Sequence, residues 1–182
     1  YLGALNRHRV EHPQEDPLLS MGSYLVDYPF ADRLFPGALG VLERFRAWGQ
    51  PVILTDGDAV FQPRKVERSG LFDAVEGRVL IYIHKEEALD DVRRRYPARH
   101  YVLVDDKLRI LSAVKQAWGD SVTTVFPRQG QFAYDHSVLA SYPAADLTVE
   151  RIGDLLAYDL HDLLPGPGPA GSLRSAVSST SR

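Results

Sequence analysis

Between residues 36 and 164 the chain alternates short apolar runs with segments whose apolar residues are spaced as on one face of a helix. Leu39, Leu42 and Phe45 show the helical spacing, and Gly49 ends that segment. The pattern predicts helices at 37–49, 63–69, 86–96, 107–118 and 149–164, and strands at 51–55, 79–83, 101–104, 122–126 and 145–148.

The predicted strands are unbroken apolar runs rather than runs of alternating apolar and polar residues. Such runs occur where helices cover both faces of a parallel sheet. Repeated strand–helix units join parallel strands through right-handed crossovers. The sequence therefore predicts an α/β protein with a core at residues 36–164. We expect this core to be a three-layer α/β/α sandwich with a parallel, Rossmann-like sheet.

The two ends of the chain do not fit this scheme. Residues 1–35 are polar with scattered apolar positions, and we interpret them as helix and loop. Residues 165–182 are rich in proline, glycine and serine, a composition typical of a disordered tail. We therefore expect one α/β core flanked by two segments of different character.

Composition and charge exclude several classes of function. The net charge of −3 and the pI near 6.1 give no reason to expect nucleic acid or an anionic membrane as a partner. The absence of cysteine excludes disulfides, thiolate metal sites and a cysteine nucleophile. No apolar run is long enough to span a bilayer, so we expect a cytoplasmic protein. The pattern leaves the oligomeric state open.

Polar residues follow the first two predicted strands directly. The first strand ends at Thr55 and leads into Asp56 and Gly57, and the second leads to Lys85. The carboxyl ends of parallel strands share one edge of a sheet, where ligands bind in open α/β sheets. A hydroxyl and an amine at that edge would suit a phosphate, provided that the Asp56 carboxylate points away from it. The alternatives are that Thr55 merely ends a strand or caps a turn, and that Lys85 is a solvated lysine.

Two carboxylates, Asp105 and Asp106, follow the third predicted strand. Oxygen ligands of this kind suit Mg²⁺, which also keeps several waters. Because adjacent strand residues face opposite sides, both acids can hold one ion only if the strand has already ended. The alternative for Asp106 is the N-cap of the helix at 107–118. Residues 128–130, after the fourth strand, are candidates for the rim of the site.

Three short motifs at these strand ends resemble those of the haloacid dehalogenase (HAD) superfamily of hydrolases. VILTDGD at 52–58 matches the second family motif, HKEE at 84–87 the third, and LVDDKLRIL at 103–111 the fourth. The likeness covers residues 36–160. One such motif is weak evidence, whereas three in the family's order, each at a strand end, are strong evidence.

The resemblance implies a role for each of these residues. Four residues would bind the phosphoryl group: Thr55, Asp56, Gly57 and Lys85. Asp56 and Gly57 would act through their backbone N–H groups. Lys85 would also be catalytic, because it would neutralise charge on the nucleophile and on the transferring group. Asp105 and Asp106 would hold Mg²⁺.

The family's first motif, an apolar strand that ends in Asp-x-Asp, is not found. The nearest candidate is Asp27, but Pro29 stands where the acid–base aspartate belongs. We therefore interpret residues 1–35 as a fragment of a helical cap and its linker, and we expect an upstream segment to carry the nucleophile. In the family the missing strand lies between those at 51–55 and 101–104. Its loss would leave buried backbone groups unsatisfied, at about 1–3 kcal/mol each.

The function that this resemblance implies is that of a Mg²⁺-dependent phosphatase of a small phosphorylated metabolite, with an aspartyl-phosphate intermediate. A dehalogenase-type hydrolase is an alternative, but it needs no metal, and the pair Asp105 and Asp106 argues against it. A nucleophile-less HAD-like binding module is another. A response-regulator-like domain has its lysine late in the chain, whereas Lys85 precedes Asp105 here.

Overall fold

A computed structural model of the chain describes residues 7–8, 10–13, 22, 24, 27–57, 60–130 and 132–164. The chain divides into two compact units, Tyr1–Lys85 and Glu86–Arg182. The predicted tail at 165–182 and much of the predicted cap fragment at 1–35 lie outside the described residues.

The first unit contains a parallel pair of strands with helices before and between them. Its elements are a 3-10 turn at Phe30–Arg33, helix α1 at Ala38–Arg46, strand β1 at Ile53–Asp56, helices α2 at Phe61–Arg68 and α3 at Leu71–Ala74, strand β2 at Val79–Tyr82 and a 3-10 turn at Lys85–Glu87. The register sets Ile53 opposite Val79 and Asp56 opposite Tyr82. Helices α1 and α2 each bury one valine, Val41 and Val66, as expected of helices with one apolar face.

The second unit contains three parallel strands in the order β3-β4-β5. Its elements are helix α4 at Leu89–Arg95, strand β3 at Tyr101–Val104, helix α5 at Leu108–Trp118, a 3-10 turn at Gly119–Ser121, strand β4 at Val122–Pro127, helix α6 at His136–Ser141, strand β5 at Leu147–Val149, a 3-10 turn at Ile152–Ala157 and helix α7 at Leu160–Leu163. Val122 to Val125 of β4 lie opposite Tyr101 to Val104 of β3.

Helix α5 supplies much of the core of the second unit. Its apolar residues at helical spacing are buried, namely Leu108, Leu111, Val114 and Trp118, and Ile110 beside them is also fully buried. Val125 of β4 is 0% exposed. None of the helices among the described residues is long and apolar enough to cross a membrane.

The α/β class is confirmed, because every strand pair of the described residues is parallel and helices flank the strands. The five predicted strands are all present, with boundaries shifted by up to two residues. Helices α3 and α6 were not predicted, and both are short.

The prediction of one long helix at 149–164 is wrong. Val149 ends β5, and the following residues form a 3-10 turn and then α7, separated by extended backbone at Tyr158. Each piece begins with its own cap: the Asp154 side chain accepts the Arg151 N–H at 2.8 Å, and the Asp162 side chain accepts the Asp159 N–H at 2.9 Å. Two capping boxes favour two helix starts over one continuous helix.

Strands β1 and β3 each have one neighbour among the described strands. In the first unit β1 pairs with β2, and in the second unit β3 pairs with β4. A parallel strand with a neighbour on one side presents backbone N–H and C=O groups on the other, where a further strand can pair.

Candidate active site

The Asp56 carboxylate joins the carboxyl ends of β1 and β2 in the first unit. Its Oδ1 accepts the backbone N–H of Lys85 at 2.8 Å. One oxygen of the carboxylate therefore binds a backbone N–H, which offsets part of the repulsion that an acid beside a phosphate would cause. This hydrogen bond also fixes the start of the 3-10 turn that carries Lys85.

Lys85 is 7% exposed, a degree of burial that lysines almost never reach unless they are paired. The alternative that it is a solvated lysine is wrong. Low exposure to water strengthens the interaction of a charged group with the charges around it. A cation of this kind suits a phosphoryl group.

Thr55 is the next-to-last residue of β1 and is half-buried. Its Oγ1 lies 3.4 Å from the carbonyl oxygen of Asp56, at the long limit of a hydrogen bond. So long a bond binds the hydroxyl weakly, and the hydroxyl can rotate to donate to a ligand. Its role in phosphate binding stays a prediction.

Gly57, the residue after β1, forms a backbone hydrogen bond and packs against a side chain. Its N–H donates to the carbonyl oxygen of Tyr82 at 2.9 Å, so the sheet uses the N–H that we expected to contact a phosphoryl oxygen. A Cβ at Gly57 would collide with the side chain of Gln62. The structure therefore explains the glycine by close packing, and its contact with a phosphate stays a prediction.

In the second unit the carboxylates of the fourth motif follow β3. The Asp105 N–H donates to the carbonyl oxygen of Val125 at 3.1 Å, so β3 and β4 still pair at this residue. The Asp105 Oδ1 accepts the Lys107 N–H at 2.9 Å. Lys107 is the N-cap of α5, so the alternative that Asp106 fills this position is wrong.

The Asp106 side chain lies against the loop that follows β4. A Cβ built on Gly130 would be 2.8 Å from the Asp106 Oδ2. The space that a side chain would fill is therefore taken by a carboxylate oxygen. Asp105 and Asp106 offer the carboxylate oxygens that Mg²⁺ prefers, and their binding of the ion stays a prediction.

Sequence reasoning treated residues 128–130 as a group, and the structure separates them. Arg128 pairs with Glu150 at 3.1 Å, and the Gln129 side chain accepts the Ile152 N–H at 2.5 Å, so both side chains bind residues that follow β5. Gly130 lies close to the Asp106 carboxylate. The sequence signal for this contact was a glycine shortly after a strand, where the chain can pass close to another residue.

Asp27, the candidate nucleophile of the sequence analysis, is exposed and helical, so it does not end a strand as a family nucleophile does.

In the second unit the Lys107 Nζ lies 4.9 Å from the ring centroid of Phe132, a cation–π contact that sequence reasoning missed. Because the two residues are far apart in the chain, no local pattern predicts this contact.

Comparisons with known proteins agree with these motifs. A solved structure of a haloacid dehalogenase-like hydrolase from Burkholderia xenovorans is 63% identical in sequence, with a TM-score of 0.80. The match covers 88% of this chain and 74% of that one. Neither the protein-family models nor the curated proteins give a match. At this identity and coverage, the chain belongs to the haloacid dehalogenase superfamily of hydrolases.

Proposed function

We propose that the protein is a Mg²⁺-dependent phosphatase that hydrolyses a small phosphorylated metabolite in the cytoplasm. The observation that carries this proposal is the burial of Lys85, with its backbone held by Asp56 at 2.8 Å. A buried cation that is already in place stabilises charge on a transferring phosphoryl group, because the protein does not have to rearrange during the reaction.

The proposed roles follow from the groups that each residue offers. Lys85 neutralises the phosphoryl oxygens and the nucleophile, and the Thr55 hydroxyl donates a hydrogen bond to a phosphoryl oxygen. Asp105 and Asp106 hold Mg²⁺, with Asp106 seated against Gly130. Bound Mg²⁺ would polarise the phosphoryl oxygens and orient the leaving group.

The nucleophile in this proposal is an aspartate on a strand outside the described residues. Within the first unit β1 pairs with β2 on one side, and its other edge can accept a parallel strand. The aspartate oxygen attacks phosphorus while the bond to the substrate oxygen breaks, and that oxygen takes a proton from solvent. Water then attacks the phosphorus of the aspartyl-phosphate and loses a proton to solvent, which releases phosphate and restores the carboxylate.

The test is hydrolysis of a panel of phosphorylated metabolites by the native full-length protein, with Mg²⁺ and with EDTA. We expect EDTA to abolish turnover. Lys85→Gln should lower kcat/KM by about 10²–10³-fold, the usual loss when one stabilising group is removed. Lys65→Gln, which changes an exposed lysine of α2, is the matched control and should leave the rate unchanged.

The other outcomes would overturn the proposal in distinct ways. Turnover of 2-haloacids that persists in EDTA would make the protein a dehalogenase. Phosphate binding without turnover of any substrate would make it a binding module. Phosphatase activity that Lys85→Gln leaves intact would refute the role of Lys85.

A further inference from the structure

Gly130 combines a left-handed backbone conformation with a close contact to a carboxylate. Its φ is +77°, a region that other residues rarely adopt. A Cβ there would lie 2.8 Å from the Asp106 Oδ2, closer than carbon and oxygen approach without a bond. Alanine at this position would therefore force one of the two partners to move.

The loop that carries Gly130 is held on both sides. Before it, the Arg128 N–H donates to the Val149 carbonyl oxygen at 2.8 Å, which ties the loop to β5. After it, the Tyr134 hydroxyl donates to the Arg128 carbonyl oxygen at 2.8 Å, and Ala133 is fully buried. These contacts hold the described residues on either side of Gly130.

The group that a Cβ at Gly130 would displace is the Asp106 carboxylate. The atom that a Cβ would meet is the end of a short side chain, and rotation about its side-chain bonds relieves the contact without a change in the backbone. The fold can thus accept alanine at Gly130, and the change falls on the position of the Asp106 carboxylate.

We infer that Gly130 is a positioning residue, which sets the place of the Asp106 carboxylate for Mg²⁺ by leaving room that any side chain would take. This inference rests on the magnesium site of the proposed function. Groups that orient a metal ligand typically change metal affinity by about 10–100-fold when they are altered.

The experiment compares Gly130→Ala with Gly70→Ala. Gly70 has a φ of +80°, and a Cβ there would meet no atom within 4 Å, so the control has similar backbone strain without the contact. We expect Gly130→Ala to raise the Kd for Mg²⁺ by about 10–100-fold in calorimetric titration. Gly70→Ala should leave it unchanged, while urea unfolding shows comparable destabilisation of both variants. Equal Mg²⁺ affinities in the two variants would overturn the inference.

A second variant covers the case in which Gly130→Ala does not fold. Gly130→Asn tolerates positive φ better than alanine, yet its side chain enters the same space. It should also weaken Mg²⁺ binding. Normal Mg²⁺ affinity in a folded Gly130→Asn protein would contradict the positioning role.

A double-mutant cycle with Asp106→Asn separates positioning from general damage. If Gly130 acts through Asp106, adding Gly130→Ala to Asp106→Asn should weaken Mg²⁺ binding no further. Additive losses would overturn the inference, because the glycine would then act by another route.

The inference and the proposed function can fail separately. A wild-type protein that binds no Mg²⁺ would refute the magnesium role of the proposed function. The ¹³C signal of the Asp106 carboxyl group would then test the positioning. We expect Gly130→Ala to shift that signal and Gly70→Ala to leave it in place, and an unshifted signal in both would overturn the inference.

Discussion

Asp146, just before β5, is expected to contribute strongly to stability although its side chain is 36% exposed. Its Oδ2 accepts three hydrogen bonds: from the Thr124 N–H at 2.8 Å, from the Thr124 hydroxyl at 2.8 Å and from the Lys115 ammonium at 2.9 Å. Thr124 in β4 is 2% exposed, so water does not readily replace the carboxylate. This one oxygen connects β4, α5 and the start of β5.

The size of the effect follows from the burial of each donor. The two bonds from buried Thr124 go to a charged acceptor, and each contributes about 1–2 kcal/mol net. The Lys115 side chain is 38% exposed, so the solvent-screened ion pair adds less than about 1 kcal/mol. Asp146→Ala should therefore lower the free energy of unfolding by about 2–5 kcal/mol. Asp146→Asn, which keeps an acceptor, should lose about half of that.

The contribution of Asp146 should also depend on pH. Partial burial raises the pKa of Asp146, but the bonds from Thr124 and Lys115 outweigh it and hold the pKa below its usual value of 3.8. A carboxylate with a lowered folded pKa adds stability above its unfolded pKa, and that stability is lost as the pH falls through the folded value. The difference between wild type and Asp146→Asn should therefore be full at pH 7 and shrink below pH 4, near the unfolded value.

Urea unfolding of the wild type, both Asp146 variants and Asp120→Ala measures these differences. Asp120 is an exposed acid of the same unit in the turn before β4, and its replacement should change stability by less than about 0.5 kcal/mol. The reasoning is refuted if Asp146→Ala lowers the free energy of unfolding no more than Asp120→Ala does. It is also refuted if the difference in free energy of unfolding between wild type and Asp146→Asn is the same at pH 3 and pH 7.

Two further predictions concern the core and the turn that carries Lys85. Ile110→Ala, at a residue with 0% exposure, should cost about 2–5 kcal/mol in urea unfolding. Leu39→Ala, at a residue with 44% exposure, should cost about 1 kcal/mol or less, and similar costs would contradict the assigned core. Asp56→Ala should speed hydrogen exchange of the Lys85 amide, since it removes the acceptor at 2.8 Å, whereas Asp56→Asn keeps an acceptor. Unchanged exchange in Asp56→Ala would show that this hydrogen bond does not hold the turn.

The strands were predictable because local sequence encodes them. A short apolar run such as Tyr101–Val104 has few alternatives to a strand when helices precede and follow it, and the boundaries of this strand match the prediction. The last helix was not predictable from apolar spacing, because that spacing continues across the break at Tyr158. The acids Asp154 and Asp162, which begin two separate pieces, were the better signal.

In the candidate site, too, one part could be predicted from the sequence and another could not. The chemical character of Thr55, Lys85, Asp105 and Asp106 could be read from the motifs, since hydroxyl, ammonium and carboxylate groups have fixed chemistry. The contacts of Asp56 with Lys85 and of Gly130 with Asp106 could not, because they join residues far apart in the chain, 29 positions for Asp56 and Lys85. Such contacts exist only after the strands have paired.

Asp146 and the carboxylates of the proposed magnesium site lie at opposite ends of the strands in the second unit. Asp146 precedes β5, and the Lys115 ammonium also donates to the carbonyl oxygen of Val122, the first residue of β4, at 2.9 Å. Asp105 and Asp106 follow the last residue of β3, at the opposite end of the same parallel strands. Ligands bind at the carboxyl ends of strands in open α/β sheets, so the amino ends are free to carry interactions that serve stability alone. Asp146→Ala should therefore lower stability and leave Mg²⁺ affinity intact, the reverse of what Asp106→Asn should do.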